Sequence, residues 1–207
     1  HLIADQDHGD PYVLPRLISF SSAEKREEFI KGLEFVVGRH DVLRTAVLND
    51  GYSQALQVVL REVDLQVEAL VIDSNEEVLP QVEQAIAPGS LYMDLTTAPM
   101  VRVKVADDAE NQAYYLVLQH HHLMVDHIGM AKVGIEIKHY LTGQAGLLPT
   151  PSLYRDFIGD TLNADKLAES KAYFNELYGA IDVPTYPFNL SDTKVDGGAT
   201  IISSQEM

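Results

Sequence analysis

Two alternating apolar stretches, MVRVKVA at 100–106 and AYYLVLQ at 113–119, flank the polar link DDAEN at 107–111. Alternation sends successive side chains to opposite faces of a strand, so this pattern predicts a β-hairpin. The residues after the hairpin are equally constraining. HHHLMVDH fills 120–127, and a helical pattern over 128–141 carries Val133, Ile137, Tyr140 and Leu141 on one side, with Gly143 as its stop. A strand that passes through a polar turn into an amphipathic helix predicts a layered α/β or α+β domain, a mixed β-sheet flanked by helices.

The rest of the chain agrees with that class. Residues 21–39 read as an amphipathic helix with Phe29, Leu33, Val36 and Val37 on one stripe, and Ser21 with Glu24 forms a capping-box pattern at its start. HDVLRTAVL is a turn leading into a strand, and 54–60 and 66–72 are further strands. A second helix is expected at about 75–87. Ser74 and Glu77 suit its cap, whereas Pro80 demands either a kink or a later start, and Pro88-Gly89 ends it. An extended lead-in from 149 precedes a short helix, and 166–179 forms a longer one with Leu167, Tyr173, Phe174 and Leu177 for packing. From residue 180 onward, Pro184, Pro187 and Gly197-Gly198 read as a linker.

Composition narrows the function classes. With 207 residues and 46% hydrophobic content the chain can bury one substantial core or form one lobe of something larger. Its net charge of −16, from 15 basic and 31 acidic residues, repels phosphate backbones and anionic lipid, which argues against nucleic acid and membrane as partners. No apolar run is long enough to span a bilayer and no secretory signal is recognisable. Cysteine is absent, which removes thiolate chemistry and disulfides and suits a cytoplasmic setting.

Four of the eight histidines lie in HHHLMVDH, and three chemistries compete for them. A metal site would use His122 with Asp126, but no cysteine and no strong second ligand pair supports it. A catalytic histidine titrates near neutral pH and gains rigidity from a strand end. The third reading is a polar turn with one histidine satisfied by backbone. If the strand alternates to its end, His121 and His122 face opposite ways, one toward the core and one toward a cleft; His120 is read as a strand residue.

HHLMVDH at 121–127 resembles the HHxxxDG signature of the condensation domains of nonribosomal peptide synthetases, within the superfamily that includes chloramphenicol acetyltransferase. RHDVLRT at 39–45, DLTTAPMVR at 94–102 and LPTPSLYRDF at 148–157 match other stretches of that family in the same order. The resemblance spans about residues 11–190.

The resemblance implies a chloramphenicol acetyltransferase-like lobe at 1–190, incomplete at its start, with 191–207 as a crossover toward a C-terminal lobe. It implies amide-bond formation between an acyl or peptidyl thioester donor and an aminoacyl thioester acceptor. Both would be held on phosphopantetheine arms of carrier proteins, with an adenylation domain in the same polypeptide and no directly bound cofactor or metal. By position, His122 is the catalytic base or orienting group, His121 is structural, and Asp126 is an ion-pair anchor whose partner is Arg44. Arg39 and His40 cap the preceding helix and its turn. His127 stands where the motif has glycine, as a gate in the tunnel or a contact to the acceptor, and Gly129 follows two residues later. The alternatives are a carrier- or CoA-dependent O- or N-acyltransferase, and a catalytically silent docking domain of the same fold.

Overall fold

The computed structural model describes residues 9–183. The first strand, β1, is Val13–Phe20. Helix α1 (Ala23–Arg39) follows, and a 3-10 turn at Asp41–Arg44 leads into β2 (Thr45–Leu48) and β3 (Leu56–Val59). Next come β4 (Gln66–Ala69), α2 (Val78–Gln84), β5 (Val101–Asp108) and β6 (Ala113–His121). Helices α3 (His127–Leu141), α4 (Tyr154–Thr161) and α5 (Ala164–Tyr178) complete the order. The chain divides into two compact units, residues 1–157 and residues 158–207.

In the first unit four strands run in the order β1-β6-β5-β4. β6 pairs antiparallel with both β1 and β5, while β4 joins β5 in parallel, so the sheet is mixed as expected. β2 and β3 form a separate antiparallel pair. The predicted hairpin is β5–β6, with Val101 opposite His120 and Asp108 opposite Ala113.

Helices cover both sides of β6, which is why it carries so few charges. On one face Val101, Val103, Leu116 and Leu118 pack with Leu33, Val36 and Val37 of α1 and Met130, Val133 and Ile137 of α3. On the other, Tyr115 and Val117 meet Ala106 and Val82 of α2. A third cluster, including Val13, Met93, Met100 and Met124, closes the end of the sheet from which β6 exits. Gly32 lets α1 and α3 approach, because a Cβ there would stand 2.9 Å from Ile137 Cγ2. Arg26 anchors the first turn of α1 to the far end of the hairpin through Ala106 O and the Asp107 carboxylate.

The structure departs from several local expectations. β1 is a strand that the sequence pattern does not announce; it lies at the sheet edge, where Pro15 is tolerated opposite Gln119. Ser22 rather than Ser21 caps α1, accepting from Lys25 N, while Ser21 Oγ accepts from Lys25 Nζ. α2 takes the later start, with Pro80 in its first turn and no side-chain cap. In α5 the four residues expected to pack, Leu167, Tyr173, Phe174 and Leu177, are each more than half exposed. Residues 184–207, including the expected linker prolines and the 191–207 crossover, lie outside the described residues.

Candidate active site

The chain leaves β6 at His121, and the histidines there separate as alternation requires. His121 is fully buried. Its Nδ1 accepts from Leu123 N at 3.0 Å, so the ring proton lies on Nε2, which donates to Asp10 Oδ2 at 3.1 Å. Asp10 is itself shut from solvent and its Oδ1 accepts from Tyr12 N at 2.9 Å. This imidazole is a structural tie: one nitrogen closes the turn after β6 and the other holds the segment preceding β1.

The same turn directs His122 outward. Its backbone N–H reaches Tyr12 O at 2.7 Å, extending the β1–β6 ladder by one step, and its side chain is exposed. His120 lies on the same face of β6 as Leu118, at 2% exposure. Burial, reinforced by the positive charge of Arg16 and then by His122 and His121, lowers its pKa to about 4, so the ring is neutral at physiological pH. His120 Nδ1 has no hydrogen-bond partner among the described residues.

Asp126 begins α3 as its N-cap, with Oδ1 accepting from Gly129 N at 2.7 Å. That hydrogen bond holds its carboxyl below the ordinary range against the opposing effect of desolvation; His127, the Ile128 amide and His122 add to the lowering. Gly129 is required by the tightness of this turn, since a Cβ would fall 2.3 Å from Val125 Cγ2. His127 is the first helical residue and its side chain is exposed.

The expected Arg44–Asp126 ion pair is not formed. Arg44 Nη1 donates instead to the carbonyls of Leu60 and Arg61, and Arg44 O accepts from Leu60 N. The reason is local. Where β3 runs out of ladder its carbonyls need donors, and the guanidinium at the start of β2 is the nearest one. Asp126, exposed and satisfied by Gly129 N, anchors the helix start. Both residues support the region, but independently.

Arg39 and His40 do more than the expected capping. His40 N–H closes α1 on Val36 O, and its Nε2 lies 2.9 Å from Glu136 Oε2 on α3. Arg39 Nε meets the same oxygen at 2.9 Å, and its Nη2 donates to Pro149 O. Glu136 and Asp10 are the two residues that sequence reasoning missed. Neither shows a local signal, since each partner lies about a hundred residues away.

Beside this turn opens a groove of about 450 Å³ between the 3-10 turn at Asp41–Arg44, the start of α3 and the start of α4. Val42, Met124, Leu153 and Phe157 supply apolar walls, and Asp41 and Asp126 contribute carboxylates. Asp41 fixes the third wall: both its oxygens accept from Tyr154 N, at 3.1 and 3.0 Å. The Tyr154 and Phe157 rings stack with centroids 6.2 Å apart. Among the described residues no group of three or more His, Asp or Glu is placed to hold a metal ion, and no helix is long and apolar enough to cross a membrane.

An exposed imidazole just past a rigid strand end is an arrangement able to exchange a proton with a bound substrate. The family model described as Condensation domain matches residues 4–203. Malpibaldin synthetase of Mortierella alpina is 33% identical over 198 residues, 95% of this chain, and malpinin synthetase of the same organism is 31% identical over 207 residues, 99% of it. The chain spans only 4% and 3% of those relatives' lengths. The solved structure of a mutant starter condensation domain of rhizomide synthetase RzmA superposes with a TM-score of 0.64 at 12% identity, covering 86% of this chain and 44% of that one. At that identity the likeness is one of fold.

Proposed function

The chain belongs to the condensation-domain family, and from that premise we propose that residues 1–190 act as the N-terminal lobe of a domain that makes amide bonds in nonribosomal peptide synthesis. Residues 191–207 would cross toward a C-terminal lobe. Donor and acceptor arrive as thioesters on the phosphopantetheine arms of carrier proteins, with an adenylation domain upstream or downstream loading the acceptor. The acceptor amine forms the C–N bond, the C–S bond of the donor breaks, and the proton lost by the amine leaves with the thiol.

His122 receives or steers that proton. The observation that carries this assignment is the tie of His121 to Asp10 and to Leu123 N, which fixes the turn so that His122 faces out. An imidazole within hydrogen-bond reach of the attacking amine can act as its general base. Asp126 and Arg44 serve the same end by holding the helix start and the neighbouring hairpin, and His127 stands at the helix start beside the entry of the substrate.

The test is transfer between loaded carriers in the full-length protein. His122→Ala should lower turnover by about 10²-fold or more, the scale of a lost general base, while the far-ultraviolet spectrum and melting temperature stay at wild type. Product formation within twofold of wild type would remove His122 from the chemistry.

A further inference from the structure

β4 lies at an outer edge of the four-stranded sheet, and among the described residues its one neighbour is β5. Leu70 N donates to Val105 O, so the even positions of the strand face β5, and alternation turns the N–H and C=O of Val67 and Ala69 outward. All four residues of the strand are exposed. An open edge of this kind is a template for a further strand. Parallel pairing brings the ends of β4 and β5 together, and there a cavity of about 520 Å³ opens. Glu76, Glu77, Asp107, Asp108 and Glu110 line it, and among the described residues no lysine, arginine or histidine does. Arg26 meets Asp107 and Asn111 meets Asp108, whereas Glu76, Glu77 and Glu110 are exposed.

We propose that this edge takes up an extended, basic segment of another protein as a fifth strand, with a lysine or arginine of that segment in the acidic cavity. The backbone of Val67 and Ala69 supplies the ladder, and the carboxylates set the sign of the occupant's charge. Glu68 already has Lys104 across from it on β5, so the cavity rather than the strand carries that selection. The surroundings reinforce it, since residues 61–77 hold six acidic side chains against the single base Arg61. The same charges disfavour a second copy of this chain, because edge-to-edge pairing would set like charges against each other. They also point to an occupant from outside the polypeptide. A strand covered permanently by its own chain needs no charged guard, whereas an edge that stays soluble until it is filled does. The proposal goes beyond the amide-forming reading and does not depend on His122.

Fluorescence anisotropy tests the edge, with full-length protein and a labelled peptide of alternating lysine and valine about eight residues long. Binding should be saturable, and the same peptide with glutamate for lysine should bind about tenfold more weakly or not at all. N-methylation of alternate peptide amides gives the signature of strand pairing. One of the two alternating sets should abolish binding, and the other, which faces solvent, should be tolerated. Ala69→Pro removes an outward N–H, a change that an edge strand accepts, and should weaken the peptide about tenfold while the melting temperature stays close to wild type. Glu76→Gln, Glu77→Gln and Glu110→Gln together should weaken it about fivefold; all three side chains are exposed, so the fold tolerates the changes. No saturable binding would mean that the carboxylates only guard the edge, and equal effects of the two methylated sets would mean that charge alone holds the peptide; either overturns the proposal. Indifference to Ala69→Pro, or to the three glutamine substitutions, overturns it as well. Transfer by His122→Ala decides the functional reading separately, so the two can fail independently.

Discussion

His121 Nε2 donates to Asp10 Oδ2 at 3.1 Å, joining residues 111 positions apart with both side chains closed to solvent. The bond fixes the tautomer of one histidine and, through Leu123 N on the other ring nitrogen, the direction in which the next one points. A structural histidine thus sets the aim of the proposed catalytic one.

Removing Asp10 takes away the carboxylate that accepts from the buried His121 Nε2–H and from Tyr12 N. Asp10→Ala should cost about 1–3 kcal/mol in urea unfolding, the scale of losing one partner of a buried hydrogen bond. A double-mutant cycle with His121→Ala should give a coupling energy of about 0.5 kcal/mol or more. Additive single effects would mean the two side chains do not depend on each other.

Asp126 and Arg44 should not couple. Each is engaged elsewhere, Asp126 on Gly129 N and Arg44 on the carbonyls of Leu60 and Arg61. Asp126→Ala should lower the melting temperature by loss of a helix cap, with Asn or Ser restoring most of it. The Asp126→Ala, Arg44→Ala pair should be additive within about 0.5 kcal/mol. The Asp126 carboxyl is lowered in the folded state, so its contribution is present above the unfolded pKa, about 3.9, and is lost as pH falls through the lower folded value.

His120 should make the fold acid-sensitive well above the carboxylate range. Its pKa is about 4 when folded, against about 6.5 in an unfolded chain. The unfolded state therefore binds the proton first, and stability falls as pH drops from about 6.5 to about 4. His120→Phe removes both this group and its unpartnered Nδ1. The urea midpoint of the variant should fall less than wild type between pH 7 and pH 5. Parallel curves would show that His120 is not the source.

Gly129→Ala ordinarily favours a helix, yet here the added Cβ meets Val125 Cγ2 at 2.3 Å. The variant should lose about 1–3 kcal/mol, as overpacked sites do. Val125→Ala in the same chain should recover most of that loss, measured by thermal unfolding. A Gly129→Ala variant as stable as wild type would show that the turn can open.

Much of the site was legible because period and motif are local properties. Alternation through AYYLVLQHH put His120 and His121 on opposite faces, and β6 with α3 realised the strand, turn and helix that the pattern predicted. The family resemblance, carried by short ordered motifs, agreed with the family model that matches residues 4–203. β1 escaped because Pro15 weakens a strand reading, and only a sheet with an edge can excuse it.

Hydrogen-bond partners were the part that could not be read. Arg44 has several acceptors within reach of a long side chain, and the one it takes depends on where β3 leaves its carbonyls. Asp10 meets His121, and Glu136 gathers Arg39 and His40, only because the sheet and two packed helices bring distant segments together. The sequence by itself determined most of the elements, since these follow from side-chain period along each segment, and the family resemblance singled out His122. Tertiary structure alone decided which charge meets which, because a polar group bonds to whatever packing places about 3 Å away.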